Sequence, residues 1–287
     1  MSSSTPLPPE PGTLYLVATP IGSARDITLR ALDLLSQVDV LAAEDTRVAR
    51  RLLEIHGIAL GTRPLLAYHD HNGPDMRPKL IAALKDGKSV AYVSDAGTPM
   101  VADPGYRLVK AASDAGINVR AAPGPSAALA ALTVAGLPSD RFLFEGFLPP
   151  QDGAARRVLE ALAHVPATLI FFETPGRLQK FLDRAADVLG KDRPAAVCRE
   201  LTKRFEDVRR GPLGALKETV NQMTLKGEMV IVIGFVERAV DRETIAQDLL
   251  VAMQTHRIKD AAGLVAQRHG WSRRDVYQMA LEMKDKS

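Results

Sequence analysis

A short apolar run, a polar loop rich in Gly and Pro, and an amphipathic stretch follow one another about five times between residues 13 and 136. Residues 13–18 (TLYLVA) read as a first buried strand, broken by Thr19-Pro20-Ile21-Gly22. Asp26 opens a helical pattern with Leu29, Leu32 and Leu35 at spacing three. Residues 38–43 form the next strand and end on Glu44-Asp45-Thr46-Arg47, before a helix over 48–56 that Gly57 stops. A weaker strand at 63–68 leads into His69-Asp70-His71-Asn72, then a helix over 78–84. Strand 89–93 exits through Asp95-Ala96-Gly97-Thr98-Pro99 into a helix over 104–115. Strand 119–122 exits through Pro123-Gly124-Pro125-Ser126 into an Ala-rich helix that ends at Gly136. Such alternation predicts a mostly parallel sheet with helices on both faces. Every polar or Gly/Pro-rich loop here follows a strand, so the loops should converge on one cleft at the carboxyl edge of the sheet.

Pro149-Pro150-Gln151-Asp152-Gly153 marks a boundary. Beyond it, strands at 168–172, 195–199 and 229–235 and helices at 177–189 and 213–223 predict a second α/β domain with its own sheet. From about Asp241 strands cease. Helices are expected over 244–254 and 259–269, the latter ended by Gly270, and Ser272 with Asp275 forms a capping box for a last helix. The last two helices and their turn resemble a helix-turn-helix. The expected organisation is a loose Ser/Pro-rich tail at 1–12, α/β domains at 13–148 and 149–240, and a basic helical extension at 241–287.

Composition narrows the class. The chain of 287 residues is 46% apolar and 25% charged, enough to bury a core and unlike a disordered chain. Cys198 is its one cysteine, which excludes a disulfide framework and a zinc–cysteine site and suits a reducing compartment. No signal peptide and no apolar run of membrane-spanning length is visible, so a cytoplasmic protein without a membrane partner is expected. A formal net charge of +3 permits nucleic-acid binding without demanding it.

No G-x-G-x-x-G follows the first strand and no P-loop occurs, so dinucleotide and P-loop sites lose their support. The most informative segment is VSDAGTPMVADPG (Val93 to Gly105). Its small residues let backbone approach a ligand closely, and PGPSA after the next strand supplies a second such loop. Glu44-Asp45-Thr46-Arg47 can hold ribose or phosphate, or be a solvated loop; Arg199-Glu200 with Thr202-Lys203-Arg204 is a similar constellation, or a surface salt bridge. His69-Asp70-His71 is poor in metal-ligand character and suits a hydrogen-bonding loop better; no metal is expected. Cys198 lies in a predicted buried strand and reads as core. Arg257, Lys259, Arg268, His269, Arg273, Arg274, Lys284 and Lys286 make the tail basic, either to bind RNA phosphates or as a solvated face.

Together, VATPIGSARDIT, LAAEDTR, YHDHN, VSDAGTPMVADPGY, PGPSAALAAL, AGLPSDRFLFEGFLP, FFETPGR, RELTKRFE and KGEMVIVI resemble the tetrapyrrole-methylase superfamily over roughly Gly12 to Phe235, and within it the branch that methylates ribosomal RNA. The resemblance implies two α/β domains with a cleft between them that holds S-adenosyl-L-methionine, a homodimer, and methylation of a cytidine ribose 2′-hydroxyl in the 16S rRNA of the 30S subunit. It maps the cofactor loops onto Pro20 and Ile21, Ala96, Gly97, Thr98 and Val101, Ser126 and Ala127, with Phe172 and Leu201 from the second domain. The superfamily often has Gly-Gly-Asp-Pro where this chain has Ala96-Gly97-Thr98-Pro99, so a side-chain contact from Thr98 lacks its acid.

Methyl transfer to a hydroxyl needs alignment and gains from a base. The candidate bases are Glu200, Asp45 and His69, with Arg47, Asn72, Arg199, Lys203 and Arg204 as candidate substrate contacts. Two other functions stay open: methylation of a small tetrapyrrole, and a non-catalytic RNA-binding module.

Overall fold

The structure is a computed structural model and describes residues 8–220, 226–236, 242–269 and 271–284. The first half runs β1 (Thr13–Val17), α1 (Leu29–Gln37), β2 (Val40–Ala43), α2 (Thr46–Ile55), β3 (Leu65–Ala67), α3 (Gly73–Lys85), β4 (Val90–Val93), α4 (Tyr106–Asp114), β5 (Asn118–Ala122) and α5 (Ala127–Ala135). It continues with β6 (Phe142–Phe147), α6 (Asp152–Leu162), β7 (Thr168–Glu173), α7 (Pro175–Leu189), β8 (Pro194–Arg199), β9 (Asp207–Pro212), α8 (Leu213–Val220) and β10 (Met229–Ile233). α9 (Arg242–Met253), α10 (Ile258–His269) and α11 (Arg273–Lys284) follow.

The first sheet has the order β3-β2-β4-β1-β5, and every pairing in it is parallel. β1, β2 and β4 are almost wholly buried because helices cover both faces, which explains their continuous apolar runs. One face packs Leu34, Leu35 and Leu53 from α1 and α2; the other packs Leu80, Leu84 and Leu108 from α3 and α4. Caps set the helix starts. Thr28, not Asp26, caps α1 by accepting the Ala31 N–H at 3.1 Å. α3 starts at Gly73, earlier than Pro78, because Pro74 takes the first-turn place that suits a missing N–H.

The second sheet has the order β6-β7-β10-β8-β9. β6 and β7 are parallel; the other pairs are antiparallel. Two of its strands and one helix beside them escape the sequence pattern. β6 carries a bulge between Phe144 and Gly146, with Gly146 at φ +77°, which interrupts its alternation. β9 reads Asp-Val-Arg-Arg-Gly-Pro and is tolerated as a strand because it is an edge, paired with β8 alone. α6 follows directly on the Pro/Gly signal that marks the expected boundary. β6 joins the second sheet although it precedes Pro149, and α5 packs Ala128, Ala131 and Leu132 against Ile170, Ala196 and Val232 of that sheet. Cys198 is in this core, as expected.

Residues Met1–Phe235 form one compact unit and Val236–Ser287 another. The second is three helices around Ile245, Leu249, Val265, Val276 and Ala280. Among the described residues no helix is long and apolar enough to cross a membrane. Part of the Ser/Pro-rich tail, the expected helix end at Met223, the stop at Gly270 and Lys286 lie outside the described residues.

Candidate active site

Because the first sheet is parallel, its strands all exit on one edge. Three of these exits are tied together. Thr19 and Gly97 exchange backbone hydrogen bonds of 2.9 and 3.0 Å, and Thr98 Oγ1 donates to Pro125 O at 2.9 Å. Gly97 stands at φ +79°, where a Cβ would come 3.3 Å from Ile21 Cγ2. Its N–H is therefore spent on Thr19, so Gly97 serves the loop by its shape and not by its amide.

The facing wall comes from the second sheet: the carboxyl ends of β6, β7 and β8 and the start of β10 share an edge. The two walls touch where Gly22 meets the β8 exit. Ser23 N–H donates to Thr202 Oγ1 at 3.0 Å, and a Cβ on Gly22 would lie 2.9 Å from Leu201 O. Non-glycine residues in the left-handed region sit in both walls: Met100 and Ala102 on one side, Glu200 and Thr202 on the other. Such conformations cost about 1–3 kcal/mol each and gather at functional sites.

Between the walls is a cavity of about 360 Å³. Ile21, Ala96, Gly97, Thr98, Val101, Ser126, Ala127, Phe172 and Leu201, all expected as cofactor positions, line it. Pro20 does not; it lines a neighbouring cavity of about 440 Å³. Phe172 is packed edge-on by Phe144 and Phe147, at 4.9 and 5.7 Å between centroids, which makes an aromatic wall. The polar side of the lining is acidic: Glu44, Asp95, Asp103, Glu173 and Glu228, with no Lys, Arg or His among the described residues. Burial, together with the charge of Glu44, pushes the Asp103 carboxyl up to about 6. Burial also raises Glu44 and Asp95 above the usual carboxylate range. Glu173 pairs with Arg177 at 3.3 Å and Glu228 with Lys203 at 2.6 Å, so the pocket's excess negative charge rests on Glu44, Asp95 and Asp103; with the aromatic wall and no cation in the lining, it suits a ligand with positive charge and a flat ring. Glu44 belongs to the Glu44-Asp45-Thr46-Arg47 segment already read as able to hold a ligand; the other four acids are not singled out by spacing, although Asp95 and Asp103 flank Gly97-Thr98-Pro99 on the most distinctive loop.

The expected bases and substrate contacts are not gathered there. Glu200 is turned away. Its left-handed backbone (φ +50°) sends the carboxylate back to accept Lys203 Nζ at 2.8 Å and the Glu228 N–H at 3.1 Å. Lys203 holds it ionised and below the usual range. Gly227 makes room: a Cβ there would sit 2.1 Å from Glu200 Oε1. Glu200 and Lys203 thus brace the Gly227–Glu228 wall instead of facing the cavity. Arg199 spends its guanidinium on the carbonyls of Lys226 and Phe205, and Arg204 is exposed over the Phe205 ring. Asn72 is used by its own loop, accepting the His69 N–H and donating to Ala67 O, both at 2.9 Å. His69 lines neither cavity; its Nδ1 is buried without a hydrogen-bond partner and its ring packs against His71. Asp45 and Arg47 line the second cavity as an ion pair, and Arg47 holds the Asp45 carboxyl down at about 2, which makes it a poor base. Among the described residues no cluster of His, Cys, Asp and Glu is arranged to hold a metal.

In the helical unit, Arg257, Lys259, Arg268, Arg273, Arg274 and Lys284 are all exposed, and Arg268 pairs with Asp248 at 3.2 Å. The first two residues of α11 are thus a pair of exposed arginines at its start.

The model of the tetrapyrrole (corrin/porphyrin) methylases matches residues 13–217, and that of the RsmI C-terminal HTH domain matches 239–284. The chain is 50% identical over 291 residues to a ribosomal RNA small subunit methyltransferase I of Mesorhizobium japonicum, covering 100% of this chain and 98% of that one. It is 44% identical over 279 residues to a protein of that name from Escherichia coli O157:H7, covering 95% and 96%. The fold is similar to that of a cobalt precorrin-4 methyltransferase of cobalamin biosynthesis, with TM-score 0.59 and 19% identity over 78% of this chain and 95% of that one.

Proposed function

The chain belongs to the tetrapyrrole (corrin/porphyrin) methylase family and, within it, to the ribosomal RNA small subunit methyltransferase I family, and from that membership we propose that it methylates ribosomal RNA of the small subunit with S-adenosylmethionine as donor. The acceptor is the ribose 2′-hydroxyl of a 16S cytidine. The observation that carries the reading is the acidic, cation-free cavity between the two sheet edges.

The bound donor supplies an electrophilic methyl group on a sulfonium. The chain's residues bind and orient it. Phe172, Val101 and Leu201 offer apolar surface to its ring and chain, and the Ser126–Ala127 loop closes one side. Glu44 and Asp103 give the low-dielectric negative surroundings that favour its positive charges. The exits of β1, β4 and β5, tied to one another by hydrogen bonds, hold the donor loops in place, and alignment of this kind supplies on the order of 7–11 kcal/mol. Arg257, Arg273 and Arg274 on the helical unit hold RNA phosphates. In this reading residues 13–148 and 149–240 are the two α/β domains, 241–287 the RNA-binding extension, and the protein works in the cytoplasm as a homodimer.

Incubation with donor labelled in the methyl group, offered 30S subunits, naked 16S rRNA or a tetrapyrrole, tests the assignment. Label should enter RNA and not the tetrapyrrole. Label in the tetrapyrrole alone, or in none of them, contradicts it.

A further inference from the structure

The second cavity has no part in the donor site just described, yet the two meet. Among the described residues, Asp95 is the only one that lines both. It stands at the exit of β4, and the second cavity extends from it along α2. The side formed by Pro20, Val48 and Leu52 is apolar, and the rim carries Arg47 and Arg51, with guanidinium side chains 89% and 74% exposed. Arg47 is held by Asp45, whereas the exposed Arg51 meets Glu54 only at 3.8 Å and has donors left for a phosphate; apolar surface for a base beside such a cation is the chemistry of a single-stranded nucleotide site. A volume of about 440 Å³ is within the range of small-ligand pockets.

We propose that this cavity receives the acceptor nucleotide of the RNA, and that Asp95, standing between acceptor and donor, takes the proton of the attacking hydroxyl. The inference rests on the methyl-transfer reading above. The oxygen–carbon bond forms as the carbon–sulfur bond breaks, the donor leaves as a neutral thioether, and the hydroxyl proton ends on the Asp95 carboxylate. The carboxylate is already aimed. Oδ1 accepts the Asp45 N–H at 3.0 Å, and the Asp95 N–H donates to Glu44 Oε2 at 3.3 Å. Burial is the largest influence on this carboxyl and raises it above the usual carboxylate range, which favours its taking a proton. Around it stand Glu44, Asp45, Asp103 and Arg47; the Asp45 charge makes it more basic, while the Asp45 N–H and the Arg47 charge oppose that, and Asp95 in turn raises Glu44 and Asp103. Of the acids near the two cavities, Asp45 is neutralised by Arg47 and Glu200 by Lys203. Glu44, Asp103, Glu173 and Glu228 line the donor cavity alone.

Two variants test it. Asp95→Asn keeps an oxygen for the Asp45 N–H but cannot take a proton. Its affinities for S-adenosylhomocysteine, by calorimetry, and for 30S subunits, by filter binding, should stay within about threefold of wild type. Its single-turnover rate should fall at least about 100-fold, and the rise of rate with pH that a titrating Asp95 predicts for the wild type should be absent from the variant. Val48→Trp fills the second cavity from an exposed position (41% exposed) and leaves the donor cavity alone. It should weaken 30S binding at least about tenfold with S-adenosylhomocysteine affinity unchanged, a direct measure of occupancy that does not depend on turnover. Thermal melts confirm that both variants fold. An Asp95→Asn enzyme with more than a tenth of the wild-type rate, or Val48→Trp with wild-type 30S affinity, overturns the inference. If the wild type itself methylates no RNA, the functional reading has failed; if it does and the variants match it, only this inference has.

Discussion

Gly22→Ala probes the contact on which the cleft depends. Gly22 is not in the left-handed region, so alanine suits its backbone and by itself should stabilise by roughly 0.4–1 kcal/mol through the unfolded chain. Against that, the new methyl would lie 2.5 Å from Lys203 Cγ, 2.6 Å from Thr202 Oγ1 and 2.9 Å from Leu201 O. The lysine chain can swing aside. The carbonyl is backbone, and moving Thr202 breaks its bond to Ser23 N–H, so the two exits must part. Overpacking of this kind costs about 1–3 kcal/mol, and the broken hydrogen bond adds about 1. The net loss is roughly 1–3.5 kcal/mol, or about 2–14 °C in Tm for a unit of this size at ~2–4 °C per kcal/mol. Donor affinity should fall with it, because Ile21 and Leu201, next to the contact on either side, both line the cavity. Differential scanning calorimetry with and without S-adenosylhomocysteine measures both. A Tm equal to or above wild type would show that the β1 and β8 exits do not meet, and the reasoning would fall.

Gly97→Val should lower donor affinity at least about tenfold while circular dichroism stays native, since a β-branched residue at φ +79° costs on the order of 1–2 kcal/mol and presses on Ile21; calorimetry with unchanged affinity would remove this loop from the donor site. For Asp103 the folded value of about 6 lies above the ordinary 3.8, so stability from this group is present below the ordinary value and lost as pH rises through 6. Asp103→Asn should therefore be more stable than wild type at pH 7, by at most ~3 kcal/mol, with the gap closing near pH 4 in urea titrations; a gap independent of pH argues against a buried carboxyl. Reversing Arg273 and Arg274 to Glu should weaken RNA binding and lower its salt slope by roughly 0.7 for each phosphate that is no longer neutralised, with donor affinity intact. An unchanged slope makes the arginine pair a solvated face.

The strand–loop–helix rhythm of the first half was readable because a parallel sheet covered on both sides needs unbroken apolar strands, and β1, β2 and β4 are such runs. β6 and β9 were not, since a bulge at Gly146 and an edge position for Arg209, Arg210 and Pro212 remove the alternation that marks a strand. The donor loops were visible as small residues after strands. The acids were harder. Glu200 does follow a strand at the expected edge, but a left-handed backbone turns its carboxylate toward Gly227, and no spacing rule reports that sign of φ. Asp95 gains its place from adjacency to two cavities built by the loop after β1, by α2 and by the start of β10, a relation among distant segments that a linear pattern does not hold.

The reaction itself is tested most directly by where the methyl group lands. After reaction with labelled donor and 30S subunits, the 16S rRNA is hydrolysed in alkali, which cleaves next to every free 2′-hydroxyl. The account predicts label in an alkali-resistant dinucleotide whose first nucleoside is cytidine. Label released in mononucleotides, marking a methylated base, or RNA that takes up none, would contradict it.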